Sequence, residues 1–386
     1  MKVLHVTPSI AQSYGGPTQS LAGYSVASRH AGIEVSIAAP RCGAADLNAF
    51  VNHAGDAELY LFPASGGGAF SVSPALVRWV RQSAAKYDVV HIHGLFNPIS
   101  SLSARTALRR DAAVIIRPFG TLSKYTFHHR RTGLKKAYFR FIERRNLLEA
   151  AALHFTSATE RAEADWHGID FTGRAYVVPP PSSGRTSPLP TPSESGIGNR
   201  VIFVGRINPI KNLECLLDAW KLVSQRSAGA SLEIVGGGDA GYVARLQRRA
   251  TTNGIANSVA FHGFMSGPKK DKLLESANLL VLPSHHENFG VVILEALEAG
   301  IPVVVSQNVH LADFIRDNDL GKVAASTPEA LADAIVGLLN GDRVRQRART
   351  LGPEIVAGTF SPAAIGDSLS KMYRAAVDRP SGVVPR

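Results

Sequence analysis

The segment NLLVLPSHHENFGVVILEALEAGIPVVV, residues 278–305, holds the organisation of the chain in miniature. An apolar run, NLLVL, stops at Pro283. A polar loop follows, Gly290 opens a stretch with helical spacing, and PVVV resumes a run of β-branched residues. Short, almost wholly apolar strands joined through a helix mark a parallel sheet, because a parallel pair needs a crossover and its strands are covered on both faces. The same rhythm extends outward. Upstream lie RVIFV (200–204), SLEIV (231–235) and VAFH (259–262). The first half carries KVLHV (2–6), EVSIA (34–38), LYLF (59–62), DVVHI (88–92), AVII (113–116), LHFT (153–156) and AYVV (175–178). Two doubly wound α/β sheets are the economical reading, one over residues 1–178 and one over 200–360. Between them PPPSSGRTSPLPTPSESGIGN (179–199), made mostly of Pro, Ser and Gly, reads as a linker. A cleft between two Rossmann-like domains is expected to follow. In the tail, residues 361–386, the helical pattern SPAAIGDSLSKMYRAAV (361–377) either packs on the second domain or crosses back to the first.

Composition narrows the class. The 386 residues carry 42 Lys and Arg against 31 Asp and Glu, a formal +11, with 45% hydrophobic and only 19% charged residues. Disorder, collagen-like repeats and a disulfide scaffold are excluded by those proportions. Cys42 and Cys215 stand far apart without CxxC neighbours, which favours a reducing, cytoplasmic compartment. No apolar run reaches 18 residues, and MKVLHVTPS reads as a first strand rather than a leader.

In doubly wound sheets ligands bind beyond the carboxyl ends of the strands, so four loops stand out. PSIAQSYGGPTQSL follows the first strand, and its Gly15 and Gly16 can bring backbone N–H groups to a phosphate or form only a turn. VGRINPIKNLE (204–214) starts with Gly205 and places Arg206 and Lys211 at one end of the sheet. A planar fork beside a compact point charge suits a diphosphate, and two solvated surface cations is the alternative. VGGGDAG (235–241) fits G-x-G-x-x-G at Gly236, Gly238 and Gly241. The acidic ribose partner that a dinucleotide site needs after the next strand is missing from FHGF (261–264), which disfavours a nicotinamide cofactor.

The fourth loop is the most specific. Glu287 lies after strand 278–282, Gly290 opens a helix, and Glu295 sits more than a turn into it among Val, Ile, Leu and Ala. The first N–H groups of that helix lack intrahelical partners and carry the positive end of its dipole. Two carboxylates bracketing an anion site suggest a ligand with both phosphate and sugar hydroxyls.

GRINPIKN and the E-x7-E pair Glu287 and Glu295, after successive strands, resemble the retaining GT-B glycosyltransferases, specifically family 4 (glycosyl transferases group 1), along essentially the whole chain. The resemblance implies transfer of a hexosyl-type sugar from a nucleotide-sugar donor to a glycan or lipid-linked acceptor, in polysaccharide or glycoconjugate biosynthesis. It implies Arg206 and Lys211 on the donor diphosphate, Glu287 on the sugar hydroxyls and Glu295 on the ribose. Backbone groups of Asn288, Phe289 and Gly290 would meet the sugar, Val291 and Val292 the phosphates. Gly15 and Gly16 would line the cleft, Gly205, Gly236 and Gly238 the donor side, and Phe264 the base. Chemically, a nucleoside diphosphate departs from an anomeric carbon, and fixed cations stabilise the growing charge. No DxD-like run occupies a suitable loop, so neither a metal nor a cofactor is expected, only the nucleotide-sugar co-substrate, with UDP, GDP and ADP forms left open. No nucleophilic carboxylate is assignable.

Two departures from the family stand out. Many relatives carry a His after the strand that here reads AVIIRPFGTL (113–122), whereas this chain has Pro118 and Phe119. Either the role has moved to His91 or His93, with His93 the candidate contact for acceptor or sugar, or it is unnecessary, and His93 is structural. The Pro-Asn-Gly turn common at the end of the first domain is replaced by PPPSSG. A non-catalytic nucleotide-sugar binding protein and a GT-B sugar-nucleotide epimerase are the competing readings.

Residues 124–145, KYTFHHRRTGLKKAYFRFIERR, hold eight Lys or Arg and one Glu, a local +7. From Leu134 the spacing predicts a helix with Lys136, Arg140 and Arg144 on one face and Leu134, Tyr138, Phe141 and Ile142 on another. No nucleic-acid module accompanies the block, so nucleic acid is not expected as a partner. A solvated face is the bland reading. An anionic membrane surface fits the family, at about 1 kcal/mol per basic residue, and would make the protein peripheral on the cytosolic face.

Overall fold

The structure is a computed structural model that describes residues 1–66, 71–110, 112–129, 132–182, 199–341 and 343–379; of the expected linker, residues 183–198 lie outside the described residues, as do Arg130 and Arg131 of the basic block. The chain divides into two compact units, Met1–Pro181 together with the segment from Phe360, and Ser182–Thr359.

In the first unit the strands are β1 (Lys2–Val6), β2 (Glu34–Pro40), β3 (Glu58–Phe62), β4 (Val89–His93), β5 (Ala113–Arg117), β6 (Ala152–Phe155) and β7 (Ala175–Val177). Among the described residues they form a parallel sheet in the order β3-β2-β1-β4-β5-β6-β7. β1, β4, β5 and β6 are buried along almost their whole lengths, which is why they read as continuous apolar runs. The helix Pro362–Val377 belongs to this unit and packs along the helix Gly16–His30. Ile365, Leu369, Met372, Tyr373 and Ala376, spaced three and four apart, are its buried stripe. Contact is close enough that a Cβ on Gly366 would overlap the Ala27 carbonyl. Of the two packings open to the tail in sequence, the structure adopts the one on the first unit.

The second unit carries β8 (Arg200–Val204), β9 (Ser231–Val235), β10 (Val259–Gly263), β11 (Leu279–Leu282), β12 (Val303–Ser306) and β13 (Gly321–Ala324), in the parallel order β10-β9-β8-β11-β12-β13. This is the doubly wound dinucleotide-fold order, so the switch point lies between β8 and β11, whose neighbouring loops leave the sheet in opposite directions. The apolar pattern does not reveal β13, because GKVA is short and begins with Gly and Lys. Gly321 is there for proximity, since a Cβ on it would overlap the Val303 carbonyl.

Candidate active site

At the switch point of the second unit, the loop after β8 and the loop after β11 are tied together by backbone and side-chain hydrogen bonds. The His285 N–H donates to the Ile210 carbonyl at 2.8 Å, and Asn212 Nδ2 donates to the Pro283 carbonyl at 3.2 Å. Lys211 ends the short 3₁₀ turn Pro209–Lys211, and Asn212 caps the next helix in the left-handed region at φ 55°. That turn delivers the Lys211 ammonium directly to the Glu287 carboxylate as an ion pair, with the side chains only 13% and 16% exposed. Glu287 is fixed from its other side too. Its N–H donates to the Asn308 carbonyl and its carbonyl accepts from the His310 N–H. Arg206, on the same β8 loop, is exposed and makes no ion pair among the described residues.

Gly290 makes the approach of Glu287 to the helix Val291–Glu298 possible. It sits at φ 81°, ψ 64°, and a Cβ there would lie 2.9 Å from Ile293 Cδ1 and 3.2 Å from Glu287 Cγ. The first turn of the helix holds no acid, so its dipole is not cancelled locally. Val291 and Val292 are half-buried, as is Asn288, while the Phe289 ring is buried and leaves its backbone as the part able to meet a ligand. Glu295 is also paired. Its Oε2 accepts from Lys270 Nζ at 2.8 Å, again with little exposure, 12% for Lys270 and 18% for Glu295. Lys270 was not singled out in the sequence, although PKKDK (268–272) offered three lysines from which to choose.

The glycine fingerprint has a packing explanation. A Cβ on Gly236, at φ 152°, would overlap the Gly205 carbonyl, and one on Gly238 would overlap the Ile207 carbonyl. The Ile207 N–H donates to the Gly237 carbonyl at 2.8 Å and the Gly205 N–H to the Val235 carbonyl at 3.0 Å. These glycines let the loops after β8 and β9 lie side by side, while Gly241 lies inside the helix Ala240–Thr252. Phe264, after β10, is 59% exposed.

In the first unit Gly15, at φ 77°, precedes a 15-residue helix that begins at Gly16 and Pro17, and the space around Gly16 is open. Of the two readings of His93, as a ligand contact or as a structural histidine, burial favours the structural one. His93 is fully buried, and its Nε2 lies 2.8 Å from His5 Nδ1. His91 is equally buried, with Nδ1 3.1 Å from the Tyr373 hydroxyl and Nε2 3.2 Å from His154 Nδ1. Burial drives all four imidazoles towards the neutral form, His5 to about 3 and the others well below the usual range, with the nearby Arg117 cation adding to the effect. A hydrogen-bonded cluster holding the carboxyl-terminal helix through Tyr373 is the role these contacts support.

Two non-glycine residues on adjacent strand ends adopt left-handed backbone, Phe96 after β4 and Phe119 after β5, each at φ 58°. Such conformations cost about 1–2 kcal/mol each, so the surroundings must hold them. Glu143 accepts from the Phe96 N–H at 2.6 Å and from Ser101 Oγ at 2.7 Å, while Glu160 accepts from the Gly120 N–H at 2.6 Å. Arg117 stacks on the Phe119 ring at 3.9 Å and the Tyr24 ring at 4.5 Å. Burial pushes Glu143 up to about 7. The basic block departs from the expected single α-helix, because Phe139–Glu143 is a π-turn. The extra residue breaks the four-residue spacing, sending Phe139 and Glu143 inward and leaving Leu134 at 54% and Phe141 at 75% exposure. Lys136, Arg140, Arg144 and Arg145 stay exposed.

Two family models match the chain, Glycosyl transferases group 1 over residues 193–354 and Glycosyl transferase 4-like domain over residues 15–181. A phosphatidyl-myo-inositol mannosyltransferase of Mycobacterium leprae is 33% identical over 180 residues, 46% of this chain and 46% of that protein. An alpha-D-kanosaminyltransferase of Streptomyces kanamyceticus is 31% identical over 176 residues, 45% of each. The aligned region thus spans just under half the length of these relatives. Among solved structures, Anabaena Alr3699/HepE in complex with UDP and glucose superposes with a TM-score of 0.74 at 20% identity, covering 97% of this chain and 100% of that one. The sucrose-phosphate synthase of Thermosynechococcus elongatus gives 0.72 at 18%, covering 97% and 98%. At those identities the likeness is one of fold.

Proposed function

Because the chain belongs to the glycosyl transferases group 1, with two Rossmann-like units of the GT-B type, we propose that it transfers a hexosyl-type sugar from a nucleotide-sugar donor to a glycan or lipid-linked acceptor. Retention of anomeric configuration follows from the resemblance to family 4. The observation that carries the reading is the largely buried Lys211–Glu287 pair at the switch point of the second unit, beside a helix start free of acids. Diphosphate departure places negative charge on phosphate oxygens. Lys211, the exposed Arg206 and the N–H groups near Val291 and Val292 supply positive charge where it develops. Glu287 keeps the ammonium oriented before a donor arrives and then accepts from sugar hydroxyls, while Glu295 accepts from the ribose. With those groups in place no metal is required by the proposed chemistry. The names of the mannosyl- and kanosaminyltransferase relatives support a hexose-type donor, and the UDP and glucose held by HepE support a nucleotide-sugar co-substrate.

A thermal-shift screen against UDP, GDP, ADP and their sugars tests this. A true donor at 100 times its dissociation constant stabilises by about 2.7 kcal/mol, and glycosyl transfer or donor hydrolysis should accompany it. Binding without turnover over a broad acceptor panel would leave only a nucleotide-sugar binding protein.

The exposed Leu134 and Phe141 beside Lys136, Arg140 and Arg144 favour a lipid-bound acceptor, since apolar side chains ringed by cations suit an anionic bilayer surface. Among the described residues no helix is long and apolar enough to cross a membrane. Co-sedimentation should be strong with phosphatidylserine vesicles, weak with phosphatidylcholine vesicles, and reduced by salt; equal binding to both would sink the membrane reading.

A further inference from the structure

The second unit pairs each of its two bracketing carboxylates with a lysine from a different element. Lys211 reaches Glu287 from the β8 loop, and Lys270 reaches Glu295 from the helix Pro268–Glu275. That helix lies on the crossover from β10 to β11, the connection that carries the chain from one half of the sheet to the other. Its amino end follows the exposed Phe264 after the edge strand β10, and its first turn brings Lys270 to Glu295. Of the lysines in PKKDK, Lys269 and Lys272 are exposed, whereas Lys270 is turned inward. Its ammonium also lies 3.6 Å from Asp271 Oδ1, a secondary contact with its own neighbour.

We propose that Lys270 is a positioning residue for the Glu295 carboxylate and thereby determines how strongly the site selects nucleotides that carry both ribose hydroxyls. The proposal rests on the reading of Glu295 as the ribose contact. A carboxylate on a helix surface can rotate about its side-chain torsions, and each accessible rotamer weakens a two-point contact with a diol. The 2.8 Å bond from Lys270 Nζ holds Oε2 and leaves Oε1, which has no protein partner among the described residues, as an acceptor on a side chain that is 18% exposed. The charge-assisted bond from an ammonium also holds that oxygen more firmly than a neutral donor would. A purely structural tie between the helices Pro268–Glu275 and Val291–Glu298 would explain the bond as well, but it would not couple Lys270 to the chemistry of the sugar ring.

The test is calorimetric titration of the full-length protein with UDP, GDP and ADP, each against its 2′-deoxy and 3′-deoxy form. Wild type should prefer the ribonucleotide of the accepted base by at least about tenfold over one deoxy form. Lys270→Met should reduce that ratio to about threefold or less, and Lys270→Arg should restore most of it. Lys270→Gln, which keeps a donor without the charge, serves should the methionine variant misfold, with the same collapse expected. If Lys270→Met or Lys270→Gln retains the wild-type ratio in a folded protein, the inference falls while the donor-site reading stands. If wild type binds none of the three diphosphates, the donor-site reading falls and takes the inference with it. Wild-type binding without discrimination removes the ribose role of Glu295, and so that of Lys270.

Discussion

At and below the carboxyl edge of the first sheet, Arg117, Glu143, Glu160, His5, His91, His93 and His154 are all buried, and their bonds run to backbone groups, hydroxyls and one another. At the same edge of the second sheet, Lys211, Glu287, Lys270 and Glu295 keep part of their surface in water and meet as cation–carboxylate pairs. One architecture thus carries two uses of polar groups. In the first unit they hold strained loops and a returning helix in place. In the second they stand as cation–carboxylate pairs, which the proposed function sets against the donor. Buried polar groups confer rigidity only when satisfied, whereas a largely buried ion pair offsets its own desolvation and is weak evidence for a role in stability.

The largest effect that separates the units is acid. The four histidines have folded-state values held below the unfolded value near 6.5, so the native state binds fewer protons than the unfolded chain. Their stabilising contribution is present above about pH 6.5 and is lost as pH falls below it, by up to about 1.4 kcal/mol per histidine per pH unit. Glu143 acts in the opposite direction. Raised to about 7, it keeps a proton in the native state that the unfolded chain releases, so its contribution fades as pH rises from about 4.5 to about 7. Four sites outweigh one. Hydrogen exchange followed from pH 7 to 5.5, corrected for intrinsic rates, should show β1, β4 and β6 losing protection about a hundredfold more than β8 and β11. Equal loss in both units would break the comparison.

Next in size is the effect of removing a member of the Lys211–Glu287 pair. Lys211→Ala and Glu287→Ala should each lower donor turnover by about 10²–10³, while melting temperature falls only a few degrees. Unchanged turnover would show that the pair is no more functional than the buried groups of the first unit. Smaller still is Glu143. Glu143→Ala leaves the Phe96 N–H without its acceptor, while the Ser101 hydroxyl keeps the Asn97 carbonyl, and should cost about 2 kcal/mol, whereas Glu143→Gln, which keeps an oxygen at the same place, should cost less than about 1 kcal/mol. Denaturant melts of the two variants decide it, and equal losses would mean that the carboxyl does not support the Phe96 turn.

Much of this was legible without coordinates. Among the described residues, twelve of the thirteen strands are marked by apolar runs, since strands buried on both faces have no polar register to confuse the pattern. Glu295 stood out because a carboxylate among Val, Ile, Leu and Ala is poorly explained as a solvated acid, and Glu287 because it lies in the loop between a strand and that helix. The partner of Glu295 was not legible, since nothing local distinguishes Lys270 from Lys269 and Lys272. The burial of His93 was likewise hidden, because HIH at the end of β4 reads equally as a loop-facing or a core-facing pair, and His5 and His154 come from distant strands.

The sequence by itself determined the two parallel sheets, the strand-end loops after β8 and β11, and Arg206, Lys211, Glu287 and Glu295 as charged residues of those loops and the helix that follows, because periodicity and local motif are written in consecutive positions. Only the tertiary structure decided which lysine meets which carboxylate, that the carboxyl-terminal helix returns to the first unit, and that four histidines and two glutamates lie buried there. Pairing and burial depend on neighbours far apart in the chain that sheet order alone brings together.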